Sequence, residues 1–239
     1  MTVSSNNSGQ NVSVHDRCRL VLMATGDKVD RLAALDAEQL TSIFSAGDVA
    51  SLILSPGDAD EARFLATAGK IVGPAQAAGI AVLVSEHTRV AGRIGADGLQ
   101  LGQDPDAVRD AVERLTPKML VGAGNVKTRH NALVLGEMQP DYVMFGKPGG
   151  DIRPEPHPKN LDLGAWWSAM VELPCIVCGG SDLESVVAVS QTGADFVALE
   201  NAIFSTDTSI VDSGEAARRV AQANALLNDH APRFESPDA

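Results

Sequence analysis

The stretch Gly95-Ala96-Asp97-Gly98-Leu99-Gln100-Leu101-Gly102-Gln103-Asp104 constrains the fold of this chain more than any other. A helix-ending glycine, a short apolar strand and a polar, acid-bearing loop follow one another there. That is the order expected where a helix runs into a strand and the strand into the loop before the next helix. The same order returns in Pro140-Asp141-Tyr142-Val143-Met144-Phe145-Gly146 and in Gly193-Ala194-Asp195-Phe196-Val197-Ala198-Leu199-Glu200, each with an aspartate ahead of an apolar run. Recurrence at intervals of roughly fifty residues, with room for a further strand and helices between, reads as one βα unit repeated around a closed sheet.

Apolar runs at 19–24, 50–55, 80–85, 119–124, 142–145, 174–178 and 196–199, with the short one inside 95–104, supply eight strands. Segments of helical period or with capping signals lie between them, at 30–44, 58–78, a short one running to 94, 106–115, 128–138, 163–171, 183–192, 201–204 and 213–227. In the second of these Asp58 is the expected cap, with Glu61 three residues on. The pattern predicts an α/β chain folded as a single-domain (β/α)8 TIM barrel, with an open doubly wound sheet as the fallback. A length of 239 residues suits that barrel, and 44% hydrophobic residues with only 4% aromatics point to a core of Val, Ile, Leu and Ala. Parallel sheets covered on both faces are built that way. Residues 1–16, rich in Ser, Asn and Gly, are expected to be a disordered leader, 17–229 the barrel and 230–239 a flexible tail. The segment 147–160 carries Gly, Pro and both charge signs, too long for an idle connection, and is expected to be a lid or binding loop.

A net charge of −12 argues against general affinity for nucleic acid or an anionic membrane, both of which need a basic surface. An anionic small molecule stays compatible, because a few Lys, Arg or backbone N–H groups reverse the field of one pocket. Three cysteines make no disulfide framework, and no apolar run approaches the ~18 residues of a membrane span. A cytoplasmic protein is the expectation, and a homodimer is allowed. Cys175-x-x-Cys178 has metal or redox spacing, but residues three apart on a strand face opposite ways, so packing is the better reading.

In a barrel the active face is set by topology, since the loops after the strands converge at its C-terminal end. Those loops bring together Thr25, Asp27, Ser55, Glu86, His87, Gln103, Asp104, Asn125, Lys127, Lys147, Arg153, Lys159, Gly179-Gly180-Ser181 and Glu200-Asn201. Acids beside lysines suit a Mg2+ ion together with phosphate oxygens, and Glu86 and Asp104, after neighbouring strands, are the candidate metal ligands. Gly179 and Gly180 after the seventh strand, with Glu200 and Asn201 heading a short helix after the eighth, form the expected phosphate site. A plain tight turn, two solvated loop acids and a surface histidine are the bland alternatives for these groups.

The motif Gly95-Ala96-Asp97-Gly98-Leu99-Gln100-Leu101-Gly102-Gln103, with Asp141-Tyr142-Val143-x-x-Gly146, Cys178-Gly179-Gly180 and Gly193-Ala194-Asp195, resembles the thiamine phosphate synthase and thiazole tautomerase superfamily over residues 19–204. The resemblance implies a TIM barrel, and for synthase members the joining of a hydroxymethylpyrimidine pyrophosphate to a thiazole phosphate, with Mg2+ and release of pyrophosphate. It further implies that Gly179 and Gly180 hold the thiazole phosphate and that Gln103 lies near the pyrimidine. The chain departs from the family pattern after the second strand, where Ile53-Leu54-Ser55-Pro56-Gly57 lacks the usual Gln, Arg and Lys, and after the fifth, where Gly124-Asn125-Val126 replaces Ser-Thr-His. Cations from other loops then have to meet the pyrophosphate. Lys147, Lys127 and Asn125 are the expected catalytic groups, and Lys159 joins the substrate-binding set with Arg153 in reserve. A divergent synthase is the expectation; a non-catalytic binding protein for a phosphorylated heterocycle, or another phosphate-substrate barrel lyase or isomerase, are the alternatives.

Overall fold

The computed structural model describes residues 16–204 and 211–234. Among these residues eight parallel strands close into a barrel in sequence order: β1 (Arg19–Thr25), β2 (Val49–Ser55), β3 (Ala81–Ser85), β4 (Gly98–Leu101), β5 (Leu120–Ala123), β6 (Tyr142–Phe145), β7 (Cys175–Cys178) and β8 (Phe196–Leu199). The ring shuts through β8 against β1, with Leu20 beside Val197. The described helices are α1 (Asp27–Leu32), α2 (Ala37–Phe44), α3 (Glu61–Ala77), α4 (Thr88–Ile94), α5 (Pro105–Leu115), α6 (Arg129–Gly136), α7 (Pro158–Met170), α8 (Ser185–Ser190), α9 (Asn201–Phe204) and α10 (Ser213–His230). The single-domain barrel is the architecture expected from the repeat. Of the expected leader, 1–15 lie outside the described residues, as do 235–239 of the expected tail. His230 ends α10, and Arg233 pairs with Arg17 in an antiparallel bridge.

Three element boundaries differ from the periodic reading, each for a local reason. The segment 30–44 is two helices, because Asp36 accepts the Gln39 N–H at 2.8 Å while the Gln39 side chain accepts the Asp36 N–H at 3.0 Å, and this capping box starts a new helix. The cap of α3 is Asp60, which accepts the Arg63 N–H at 2.8 Å, and not Asp58. The helix α7 begins at Pro158, a residue suited to a first helical position, with the His157 ring accepting the Lys159 N–H at 3.2 Å. Lys159 therefore lies in the first turn of α7 and the preceding loop spans 146–157.

The recurring aspartates have one structural job. Asp97 precedes β4 and accepts the N–H of Val82 in β3 at 2.7 Å; Asp141 precedes β6 and accepts from Val121 in β5 at 2.7 Å; Asp195 precedes β8 and accepts from Cys175 in β7 at 2.8 Å. Asp48, ahead of β2, completes the series by holding the guanidinium of Arg19, the first residue of β1, at 2.7 Å. Each even-numbered strand is thus tied at its start to the odd-numbered strand before it.

Period-two alternation sends Leu20, Leu22 and Ala24 of β1 toward the helices and Val21 and Met23 into the barrel. The interior also takes Ile53, Leu83, Met144, Ile176 and Cys178, whereas Cys175 faces α7 and lies 3.5 Å from the Ser168 hydroxyl. The two cysteines face apart, as the strand period requires. Trp167 is fully buried on Phe145 and donates to the Leu173 carbonyl at 2.7 Å, a packing role. On one side of the interior Tyr142 donates its hydroxyl to Gln100 at 2.6 Å, both being buried. Gly122 makes this possible, since a Cβ there would collide with the Tyr142 ring.

Replacement of Asp141 by Ala leaves the Val121 N–H without its acceptor, and urea unfolding is expected to show a loss of about 1–3 kcal/mol. Asp110→Ala, which removes only an exposed ion pair to Arg114, should change stability by less than about 0.5 kcal/mol. Gly122→Ala is expected to cost about 1–3 kcal/mol by overpacking a ring that has nowhere to go. By contrast Gly92→Ala, in α4 with open space around the added methyl, should stabilise by about 0.5–1 kcal/mol.

Candidate active site

The loops after β5, β6 and β7 enclose a cavity of about 600 Å³ at the C-terminal mouth of the barrel. Its wall includes Asn125, Lys127, Lys147, Arg153 and Lys159 together with Gly179. Asn125 reaches the wall because it turns back in a left-handed conformation, φ 58°, with its N–H on the Gly146 carbonyl at 2.9 Å. That bond joins the ends of β5 and β6 and brings Lys127 and Lys147 to one opening. The expected catalytic trio and Lys159 therefore share a single cavity. Lys127, Lys147 and Lys159 are exposed and carry a positive field into a pocket of a strongly acidic chain.

Glu86, Gln103 and Asp104 are not part of that wall and occupy the neighbouring loops after β3 and β4. Glu86 has φ 61°, its N–H donating to the Gln100 carbonyl at 3.0 Å, so its side chain is carried over the strand ends. Partial enclosure holds its carboxyl above the usual carboxylate range; the Gly102 N–H opposes this, while the charge of Asp104 adds to it. Asp104 also caps α5, accepting the Asp106 N–H at 3.1 Å. Gln103 is exposed. His87 stacks edge-on against Phe64, with ring centroids 5.9 Å apart. Among the described residues no group of three or more His, Cys, Asp and Glu side chains is placed to hold a metal ion.

The corner after β7 and β8, expected to take a phosphate, is filled by the chain itself. The carboxylate of Asp151 accepts the N–H groups of Glu200 and Asn201 at 3.1 and 2.6 Å and the Asn201 side-chain amide at 3.0 Å. On the other side the Ser181 and Asp182 N–H groups donate to the Arg153 and Pro154 carbonyls at 2.7 and 3.2 Å. Gly180 lets this loop approach, since a Cβ there would run into the Pro154 carbonyl. Glu200 is completely buried and binds across three loops, taking the Thr25 N–H at 2.8 Å, the Gly149 N–H at 2.7 Å and the Lys28 ammonium at 3.5 Å. Burial pushes the Asp151 carboxyl up to about 6, opposed by the Asn201 N–H and reinforced by the charge of Glu200.

Asp151 is the residue that sequence reasoning missed. Its only local sign is Gly149-Gly150-Asp151 between two prolines; its partners stand about fifty positions away, where no pattern connects them. Glu200 and Asn201 were readable as residues after β8, yet nothing local marks Glu200 as a bracket between loops.

The thiamine monophosphate synthase family model matches residues 21–203. The thiamine-phosphate synthase of Rhodospirillum centenum is 33% identical over 184 residues, covering 76% of this chain and 87% of that protein. The thiamine-phosphate synthase of Hyphomonas neptunium is 32% identical over 193 residues, covering 79% and 86%. A solved structure of the thiamine phosphate pyrophosphorylase from Pyrococcus furiosus superposes with a TM-score of 0.70 at 18% identity, over 91% of this chain and 99% of that one, and so shares the fold. A family match running from β1 into α9, with close relatives aligned over most of their own length, establishes that this chain belongs to the thiamine monophosphate synthase family.

Proposed function

We propose that the chain is a transferase of thiamine biosynthesis that joins a hydroxymethylpyrimidine pyrophosphate to a thiazole phosphate, working in the cytoplasm. The cavity that gathers Lys127, Lys147, Arg153 and Lys159 beside Asn125 carries this reading. Four cationic side chains at one opening fit a pyrophosphate leaving group. They also replace, from the loops after β5 and β6, the cations absent from Ser55-Pro56-Gly57 after β2. In the proposed reaction the bond between the pyrimidine methylene carbon and the pyrophosphate oxygen breaks, the electron pair departing with pyrophosphate. The thiazole nitrogen then donates its lone pair to that carbon to form the new C–N bond. The side chains perform no covalent step; fixed positive charge where negative charge develops is the main source of rate.

The donor set at the mouth fits Mg2+. The ion takes one or two carboxylates and completes its sphere with water and substrate phosphates, and Glu86 and Asp104 stand on adjacent loops at the mouth, β3 being paired with β4. These two residues would hold it. A bound Mg2+ supplies neutralisation of charge on the leaving phosphate oxygens. Gln103, on the same loop as Asp104, is assigned to the pyrimidine ring.

Purified protein with Mg2+ and both substrates is expected to form thiamine phosphate, read by product fluorescence after oxidation. Lys147→Ala should lower kcat/KM by about 10- to 100-fold, the weight of one charge-assisted contact, with little change in Tm because Lys147 is exposed. Lys118→Ala, ahead of β5 at the opposite end of the barrel, should leave the rate unchanged. Absence of product at high enzyme concentration, or equal effects of the two lysine substitutions, overturns the proposal. Chelation of Mg2+ is expected to abolish turnover, and Glu86→Gln to raise the Mg2+ concentration needed for half the maximal rate; a rate indifferent to chelation removes the metal assignment.

A further inference from the structure

A second cavity, of about 430 Å³, opens at the opposite end of the barrel, where residues 16–17 and 233–234 meet the turn before β2. Its wall includes Asp16, Arg17, Gly47, Asp48, Asn224 and Arg233. Arg17 is bridged to Arg233, and the Phe234 N–H donates to the Asp16 carbonyl at 2.6 Å. From α10 come Asn224 and Asn228, one turn apart and both turned toward Arg17. Gly47 admits Asn224, since a Cβ at that position would collide with its amide.

Arg17 carries the odd charge of this group. It is 5% exposed, yet each of its hydrogen-bond partners is neutral: Nε donates to the Asn228 side-chain oxygen at 2.8 Å, Nη1 to the Cys18 carbonyl at 2.6 Å and Nη2 to the Asn224 side-chain oxygen at 3.2 Å. The nearby acids are engaged elsewhere. Asp48 takes the Arg19 guanidinium with both oxygens, at 2.7 and 3.0 Å, and Asp16 takes Arg233 at 2.9 Å. The Cys18 thiol adds no negative charge, because burial pushes it far above the usual thiol range. The carbonyl end of α10 is met by Arg233, which donates to the Asn228 carbonyl at 3.3 Å. Three guanidinium groups thus stand against two carboxylates.

A guanidinium keeps its proton, so the imbalance is lasting. Burial works against the Arg17 charge first; Asp48 and Asp16 support it from a distance, and the like charge of Arg233 opposes it. Buried charges are ordinarily paired, because an unpaired one loses its hydration with no attraction to replace it. Of its five N–H groups Arg17 uses three, and the remaining two belong to Nη1 and Nη2, the pair able to grip two oxygens of one oxyanion.

We propose that the cavity at the N-terminal end of the barrel is a binding site for a small oxyanion, a carboxylate or a phosphate, that serves as the counter-ion of Arg17. The bound anion would tie the segment leading into β1, the turn before β2 and α10 to one another. It acts on stability and not on turnover, because the chemistry of a barrel lies at its other end.

Thermal unfolding of the full chain at constant ionic strength, with sodium acetate or sodium phosphate replacing chloride, tests the site. At an anion concentration about tenfold above Kd the midpoint of the unmodified protein should rise by about 3–6 °C. Arg17→Met removes the charge and should abolish the rise. Asn228→Asp, at an exposed position that leaves the fold intact, keeps the acceptor for Nε and supplies an internal counter-ion; it too should abolish the rise, and it carries the test alone if Arg17→Met does not fold. The catalytic mouth is unchanged in both variants, so anion binding there cancels from the comparison. A rise with both anions assigns a site of carboxylate size, and a rise with phosphate alone assigns a phosphate site. An equal rise in the variants, or no rise with either anion in the unmodified protein, overturns the proposal.

Discussion

The backbone hydrogen bonds from Val82, Val121 and Cys175 to the aspartates ahead of β4, β6 and β8 are the constraint on which the barrel depends. Parallel strands have no hairpin turn to set their register, and a slip of one residue would turn each strand's inward set outward. A carboxylate fixed at the start of one strand and bonded to the first turn of the ladder on its neighbour specifies that register directly. Arg19 and Asp48 make the equivalent contact by side chains, so the device recurs around the ring in all four pairs of strands. Because every such contact sits at the N-terminal end, the loops at the other end carry little of the burden of closure and are free to specialise.

The same register decides what fills the barrel. With few aromatic residues available, the interior on the β4–β6 side is occupied by Tyr142 hydrogen-bonded to Gln100, and Gly122 and Gly124 clear the space for them. A Cβ on Gly124 would stand 2.5 Å from the Gln100 amide nitrogen, so the small residue and the polar one are a matched set. The polar pair is satisfied internally, Gln100 also donating to the Leu101 carbonyl at 2.8 Å. A packed interior leaves ligand binding to the mouth.

Much of this was legible from residues alone, where the physics is local. β6 coincides with its apolar run at Tyr142–Phe145, and the opposed faces of Cys175 and Cys178 follow from the strand period. The division of 30–44 into two helices was hidden because the capping box at Asp36 breaks an otherwise continuous apolar stripe without a Gly or Pro to mark it. At the mouth, the residues that end up lining the cavity were found by position after the strands, which is a rule of topology. Asp151 was not found, because its meaning lies in donors on Glu200 and Asn201 that only the closed barrel brings to it.

The two halves of the mouth carry opposite charge and share one loop. Lys147 and Arg153 face the cavity, while Asp151, between them in sequence, fills the β7–β8 corner and the Arg153 carbonyl is bonded to Ser181. A chain of net charge −12 gives an anionic substrate no long-range attraction, so capture rests on groups within about a Debye length, some 8 Å, of the opening. One loop therefore serves both halves at once: Asp151, bonded to the Glu200 and Asn201 N–H groups, fixes the backbone from which Lys147 and Arg153 reach the cavity beside Lys127 and Lys159.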